Sequence, residues 1–135
     1  MNYESFFTIL CIVFFSIFKT SAQEKIWFDA NWNITTKKNA VYYRLVADHK
    51  SKKQQIIDYY ISGKKAKEYF FVEGKENGKY AEFYNSGELR ITGNFENGFR
   101  EGIWKTYYKN GKIKEKGKYK VGEKVGVWKT FYKNN

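Results

Sequence analysis

From Lys112 to Lys120 the chain reads KIKEKGKYK, with a lysine at every second position and Ile113, Glu115, Gly117 and Tyr119 between them. Just upstream, Trp104, Thr106 and Tyr108 alternate with Lys105, Tyr107 and Lys109. A period of two predicts a strand with one face toward a core and one toward water. Asn110-Gly111 separates the two runs and predicts a hairpin closed by a type I′ turn, which needs positive φ at both central residues. A two-residue loop sets the register. Tyr108 then faces Ile113, Thr106 faces Glu115 and Trp104 faces Gly117. The other face pairs Lys109 with Lys112, Tyr107 with Lys114 and Lys105 with Lys116. One unit upstream, Ser86-Gly87 is the turn, Tyr84 faces Leu89 and Tyr80 faces Gly93. An aromatic ring opposite a glycine can lie over its bare backbone.

The pattern repeats every 24 residues. Gly63, Gly87 and Gly111 are in phase, as are Gly74, Gly98 and Gly122, and Gly78, Gly102 and Gly126. Tyr60, Tyr84, Tyr108 and Tyr132 keep the same step, as do Tyr80, Trp104 and Trp128. A fixed period of this size marks a repeat architecture whose unit is one supersecondary element. The expected fold is all-β: an antiparallel meander of stacked hairpins, with Gly-x-x-x-Gly linking one hairpin to the next. Gly87, Gly93, Gly98, Gly102, Gly111, Gly117, Gly122 and Gly126 carry the structural positions of the repeat. The units are 54–77 (a worn copy), 78–101, 102–125 and a partial 126–135, whose last strand is an edge guarded by Lys129 and Lys133.

Two segments precede the repeats. Phe6–Phe18 is an apolar run too short to span a bilayer, and Thr20-Ser21-Ala22 follows it. That order reads as a secretory signal peptide over 1–22, cut after Ala22. An uncleaved anchor is the alternative. Residues 23–53 read as an N-terminal β cap with a strand over Ala40–Ala47, and the worn copy that follows opens on a strand over Gln54–Ile61. Trp27, Phe28 and Trp32 are its apolar anchors and the candidate cover for the aromatic face of the repeats.

Composition narrows the chemistry. Cys11 is the only cysteine and lies in the apolar run. A chain cut after Ala22 therefore has no disulfide, thiolate metal site or thiol nucleophile. His49 is the only histidine and falls in a polar loop. No Ser/His/Asp, Cys/His or carboxylate-rich metal spacing stands out, so no enzyme and no cofactor are expected. Charge is uneven: Gly102–Val125 holds eight lysines and two glutamates, whereas Gly78–Glu101 holds three basic and four acidic residues. Lys105, Lys114 and Lys116 around Tyr107 form a candidate basic face. It suits solubility, or an anionic partner such as lipid headgroups, acidic glycans or an acidic protein. A nucleic acid is not expected for an exported chain. Trp104, Tyr108, Ile113, Trp128 and Tyr132 form the candidate docking face on the other side.

The unit Gly102-Ile-Trp-Lys-Thr-Tyr-Tyr-Lys-Asn-Gly111-Lys-Ile, followed by Gly117-x-Tyr119-x-x-Gly122-x-x-x-Gly126-x-Trp128, resembles the MORN-repeat variant of bacterial YwqK-type proteins. The resemblance spans residues 26–135 and is strongest over 78–133. It implies a protein-interaction or membrane-apposed module and brings no catalytic residue. Members of the family are labelled antitoxins of toxin–antitoxin pairs. The sequence thus predicts an exported interaction module, periplasmic, outer-envelope or secreted, that engages a protein or an anionic envelope component. The alternative is an antitoxin that occludes a toxin.

Overall fold

The computed structural model describes residues 23–46 and 51–133; the expected signal segment, His49 and Asn134-Asn135 lie outside them. Ten strands form one antiparallel sheet: β1 (Lys25–Phe28), β2 (Tyr42–Leu45), β3 (Lys53–Tyr60), β4 (Lys65–Val72), β5 (Lys75–Glu76), β6 (Gly78–Phe83), β7 (Leu89–Glu96), β8 (Phe99–Tyr107), β9 (Ile113–Lys120) and β10 (Glu123–Thr130). Neighbours in sequence are neighbours in space, in the order β1-β2-β3-β4-β6-β7-β8-β9-β10, with β5 also on β4. The all-β hairpin meander is therefore the fold.

The expected turn chemistry is exchanged between the two kinds of link. At 108–112 the Gly111 N–H bonds the Tyr108 carbonyl at 2.9 Å and the Tyr108 N–H bonds the Lys112 carbonyl at 2.8 Å. Gly111 has φ +81, and Asn110 is not among the residues of positive φ. A three-residue loop, Lys109–Gly111, that ends in a left-handed glycine closes this hairpin, not the two-residue type I′ turn expected at Asn110-Gly111. The same bonds recur at Tyr60/Gly63 and Tyr84/Gly87. Paired positive φ occurs instead at Glu73-Gly74, Asn97-Gly98 and Val121-Gly122, the links between one hairpin and the next. There Val72 pairs Lys75, Glu96 pairs Phe99 and Lys120 pairs Glu123, which leaves two-residue loops.

The extra turn residue is undone by a bulge. Tyr107 pairs Ile113, but Thr106 pairs Glu115, so Lys114 is the added residue. Beyond it the expected pairs Thr106–Glu115, Lys105–Lys116 and Trp104–Gly117 hold. Ala66, Arg90 and Lys114 are the three bulge residues, 24 apart. Each turns to the aromatic side: Ala66 is buried, Arg90 pairs Glu82 at 2.8 Å, and Lys114 lies 5.8 Å from the Tyr108 ring. Ile113 consequently sits opposite Tyr107, and Lys114 leaves the lysine side. Both reverse the sides expected for them.

A larger bulge bends the sheet at the other glycines. Lys105 pairs Thr92 and Glu101 pairs Asn94, so Gly102, Ile103 and Trp104 stand where β7 offers only Gly93. Gly126, Val127 and Trp128 stand likewise against Gly117. Gly78, Gly102 and Gly126 all have positive φ, a conformation glycine reaches without steric cost. The bulge swings Trp104 back over Gly93 of the preceding hairpin and Trp128 over Gly117. Ring-over-glycine packing thus joins successive hairpins rather than lying within one.

One face of this single sheet forms the core. Tyr69, Tyr80, Phe95, Trp104, Tyr119 and Trp128 follow one another with ring centroids 5.1–6.1 Å apart. Cations close it from above: Arg100 is 4.4 Å from the Trp104 ring and Lys124 is 3.9 Å from Trp128. The N-terminal segment does not cover this face as expected. It adds β1 and β2 to the edge of the sheet, and of its three expected anchors only Phe28 and Trp32 turn inward, where Trp32 stacks on Tyr42 at 4.0 Å and carries Lys67 at 3.4 Å. Trp27 lies on the opposite face, in a row with Tyr43 and Tyr59.

Three tyrosines tie unit to unit. Tyr60, Tyr84 and Tyr108 donate their hydroxyls to the carbonyls of Phe83, Tyr107 and Phe131, each 23 residues on, at 2.7–2.9 Å.

Candidate anion-binding face

Cross-strand partners share a face, so the register draws a row across the last strands. Thr92 pairs Lys105, Lys105 pairs Lys116 and Lys116 pairs Lys129. Three lysines therefore stand directly opposite one another on β8, β9 and β10. Beside them Lys118 pairs Ile103 on β8 and Val125 on β10. Like charges in opposite positions destabilise a sheet. Among the described residues no ion pair involves Lys105, Lys116, Lys118 or Lys129. Lys116 lies 5.7 Å from the Phe131 ring, and the row carries no counter-charge of its own among the described residues.

Apolar side chains are set among these charges by the glycine bulges. Ile103 follows Gly102 and is 57% exposed; Val127 follows Gly126 and is 79% exposed. A groove of about 440 Å³ runs between them, lined by Lys105, Lys116, Lys118, Val125 and Lys129 as well. A second groove of about 670 Å³ continues over β6 and β7, past Ala81, Thr92 and Asn94, and shares Ile103 and Lys105 with the first. Its charge is milder, with Glu68 facing Lys79 and Lys105 on its walls.

The residues singled out by sequence divide unevenly over this geometry. Lys105, Tyr107 and Lys116 share the lysine face, where the Tyr107 hydroxyl lies 3.3 Å from that of Thr92. Lys114 does not. Of the aromatic docking candidates, Trp104 is 3% exposed and bonds its indole N–H to the Asn94 carbonyl at 3.2 Å, so no partner can reach it. Tyr108 is tied to Phe131, and Ile113 is on the lysine side. Trp128 is half-buried beneath Lys124, with Nε1 buried and unbonded. Tyr132 is 85% exposed. Ile103, Lys118, Val127 and Lys129 were not among the expected site residues. For Ile103 and Val127 the signal was the residue between glycine and tryptophan in Gly-x-Trp, which a strand of unbroken alternation gives no special place.

At the opposite end of the sheet the polar residues are structural. Asp58 is fully buried and receives two hydrogen bonds from Arg44, at 2.7 and 3.0 Å, while Arg44 also donates to the Tyr69 hydroxyl at 2.6 Å. Burial alone would lower the Arg44 pKa; the hydrogen bonds and charge of Asp58 carry it above the usual value. Burial pulls Lys67 below the ordinary lysine range, against the charges of Glu82 and Asp58.

A comparison with curated proteins finds none that matches the chain. Residues 76–97 and 100–120 match the family model of the MORN repeat variant, and these two stretches fall on the β6–β7 and β8–β9 hairpins, so two of the 24-residue units are similar to MORN-variant repeats.

Proposed function

We propose that this chain is an exported, non-enzymatic docking module that holds to an anionic membrane surface through the lysine face of β8–β10. The observation that carries this reading is the Lys105–Lys116–Lys129 row with Ile103 and Val127 standing out beside it. Lysines close to an anionic bilayer contribute about 1 kcal/mol each. Exposed aliphatic side chains among them enter the headgroup boundary, as the apolar face of an interfacial helix does. Export rests on Phe6–Phe18 and Thr20-Ser21-Ala22, and a mature N-terminus at Gln23 checks it.

Flotation with vesicles tests the docking. Binding is expected to phosphatidylglycerol-containing vesicles, to weaken with salt, and to be absent with phosphatidylcholine alone. Lys116→Glu with Lys129→Glu should lower the bound fraction about tenfold or more, and Val127→Asp should lower it without changing the fold. Equal binding to neutral vesicles, or binding that survives the double charge reversal, overturns the reading. The antitoxin role implied by the repeat resemblance is the second reading. It is favoured if vesicle binding is absent and an acidic toxin encoded beside this chain co-purifies with it.

A further inference from the structure

We infer that β10 accepts an extended acidic segment of another protein as an added antiparallel strand. This rests on the edge of the sheet, a different observation from the lysine face. Phe131 gives its N–H to the Lys114 carbonyl at 2.8 Å, and Lys129 pairs Lys116. Alternate residues of a strand point their backbone groups to opposite sides, so the N–H and C=O of Thr130 face away from β9. Such an edge is a template for a further strand.

The repeat itself shows how the edge is met. β8 and β10 are the same strand one period apart, and β9 lies on β8 with Lys105 opposite Lys116 and Thr106 opposite Glu115. A strand laid on β10 in that register places one residue opposite Lys129 and the next opposite Thr130. The residue beside Lys129 extends the row Lys105–Lys116–Lys129. A fourth cation there adds to the repulsion, whereas a carboxylate relieves it. A second copy of this chain is a poor occupant. Among the described residues its edges are β10, with Lys124 and Lys129, and β1, with Lys25, and the chain carries a net charge of +11. Charge therefore selects a foreign segment with acidic residues at alternate positions. On the other side of that segment, apolar residues would meet Trp128, which is half-buried.

The probe is a synthetic peptide of residues 112–120, the natural neighbour of β8, carrying Lys112→Glu, Lys114→Glu, Lys116→Glu, Lys118→Glu and Lys120→Glu. It should bind the full chain and slow hydrogen exchange at the Thr130 amide, which exchanges freely beforehand. The unaltered lysine peptide should bind at least about tenfold more weakly. Thr130→Pro removes the outward N–H and leaves the bonds to β9, so it should abolish peptide binding while vesicle flotation is unchanged. Should that variant fail to fold, Lys129→Glu replaces it and should shift preference from the acidic peptide toward the lysine peptide. The inference is overturned if the acidic peptide does not bind, if Thr130→Pro leaves its binding intact, if Lys129→Glu leaves the preference unmoved, or if the Thr130 amide is already protected in the protein alone.

Discussion

The indole of Trp104 lies on the backbone of Gly93, so close that a Cβ at Gly93 would overlap the ring-junction atoms Cδ2 and Cε2. Trp104 and Gly93 belong to successive hairpins, and their contact ties one repeat to the next, as Trp128 over Gly117 does one period later. Gly93 lies outside the positive-φ region, so alanine there meets no backbone strain, only the ring. Gly93→Ala should therefore destabilise the chain by about 1–3 kcal/mol, the usual cost of overpacking a core. Chemical denaturation measures it. The effect should be strongly non-additive with Trp104→Ala, because removing the indole removes the collision. Gly117→Ala under Trp128 should cost less: Trp128 is only half-buried, and its Nε1 lacks the bond to backbone that holds Trp104. Additive losses at Gly93 and Trp104 would show that the two do not act through contact.

Val121 offers a stabilising change. It has φ +48 in the two-residue link between β9 and β10, a conformation that a β-branched residue rarely adopts. The link one repeat earlier has asparagine at the same place, Asn97, at φ +51. Asparagine tolerates this region, and Asn-Gly is the favoured pair for such a turn. Val121→Asn should stabilise by about 0.5–2 kcal/mol, read as a higher melting temperature. The Val121 N–H keeps its bond to the Glu101 carboxylate at 2.8 Å in either case. A lower melting temperature would mean that the valine side chain makes contacts worth more than the strain.

Period-two alternation and the 24-residue step were enough to reach the meander and the central register of the hairpins at 78–101 and 102–125. They led astray wherever a bulge intervened. Asn110-Gly111 carries the strongest hairpin signal in the chain, yet the equally legible Asn97-Gly98 holds the type I′ geometry. Composition alone does not say which glycine ends a three-residue loop. One extra residue in the turn then forces one extra residue at Lys114, and the two shifts cancel before Thr106. The expected pairs beyond that point are therefore right, while Ile113 and Lys114 exchange sides. Of the site, the lysines at Lys105 and Lys116 were readable from parity. The exposed Ile103 and Val127 depend on a bulge opposite a glycine on another strand, which is long-range information. Tyr69 shows the same limit. It stands in the first unit where Gly93 and Gly117 stand later, so Tyr80 cannot lie flat there as Trp104 and Trp128 do, and the rings meet tilted at 6.1 Å.

Tyr69 also gives the chain a specific weakness to alkali. Its ring is buried, its hydroxyl receives a hydrogen bond from Arg44, and burial together with the charge of Asp58 pushes its pKa up from 10.0 to about 12. In the unfolded chain the phenol ionises near its ordinary value. The native state thus holds the proton over a window in which the unfolded state has lost it. By linkage, stability is fully present below the unfolded pKa and is lost as pH rises through about 10 toward the folded value near 12. Tyr80 acts in the same direction, since burial and its hydrogen bond to Glu82 raise its pKa as well. Thermal melts at about pH 8 and about pH 11 should show a loss in the native chain that Tyr69→Phe makes smaller, although the substitution costs some stability at neutral pH by removing a hydrogen bond to Arg44. Asp58→Asn separates the two contributions. It removes the charge that resists Tyr69 ionisation but leaves the Arg44 guanidinium half-buried without its counter-charge, so it should cost about 3–5 kcal/mol at neutral pH and also reduce the alkaline loss. If the difference between the two melts is the same with and without the Tyr69 hydroxyl, the alkaline sensitivity lies elsewhere in the chain.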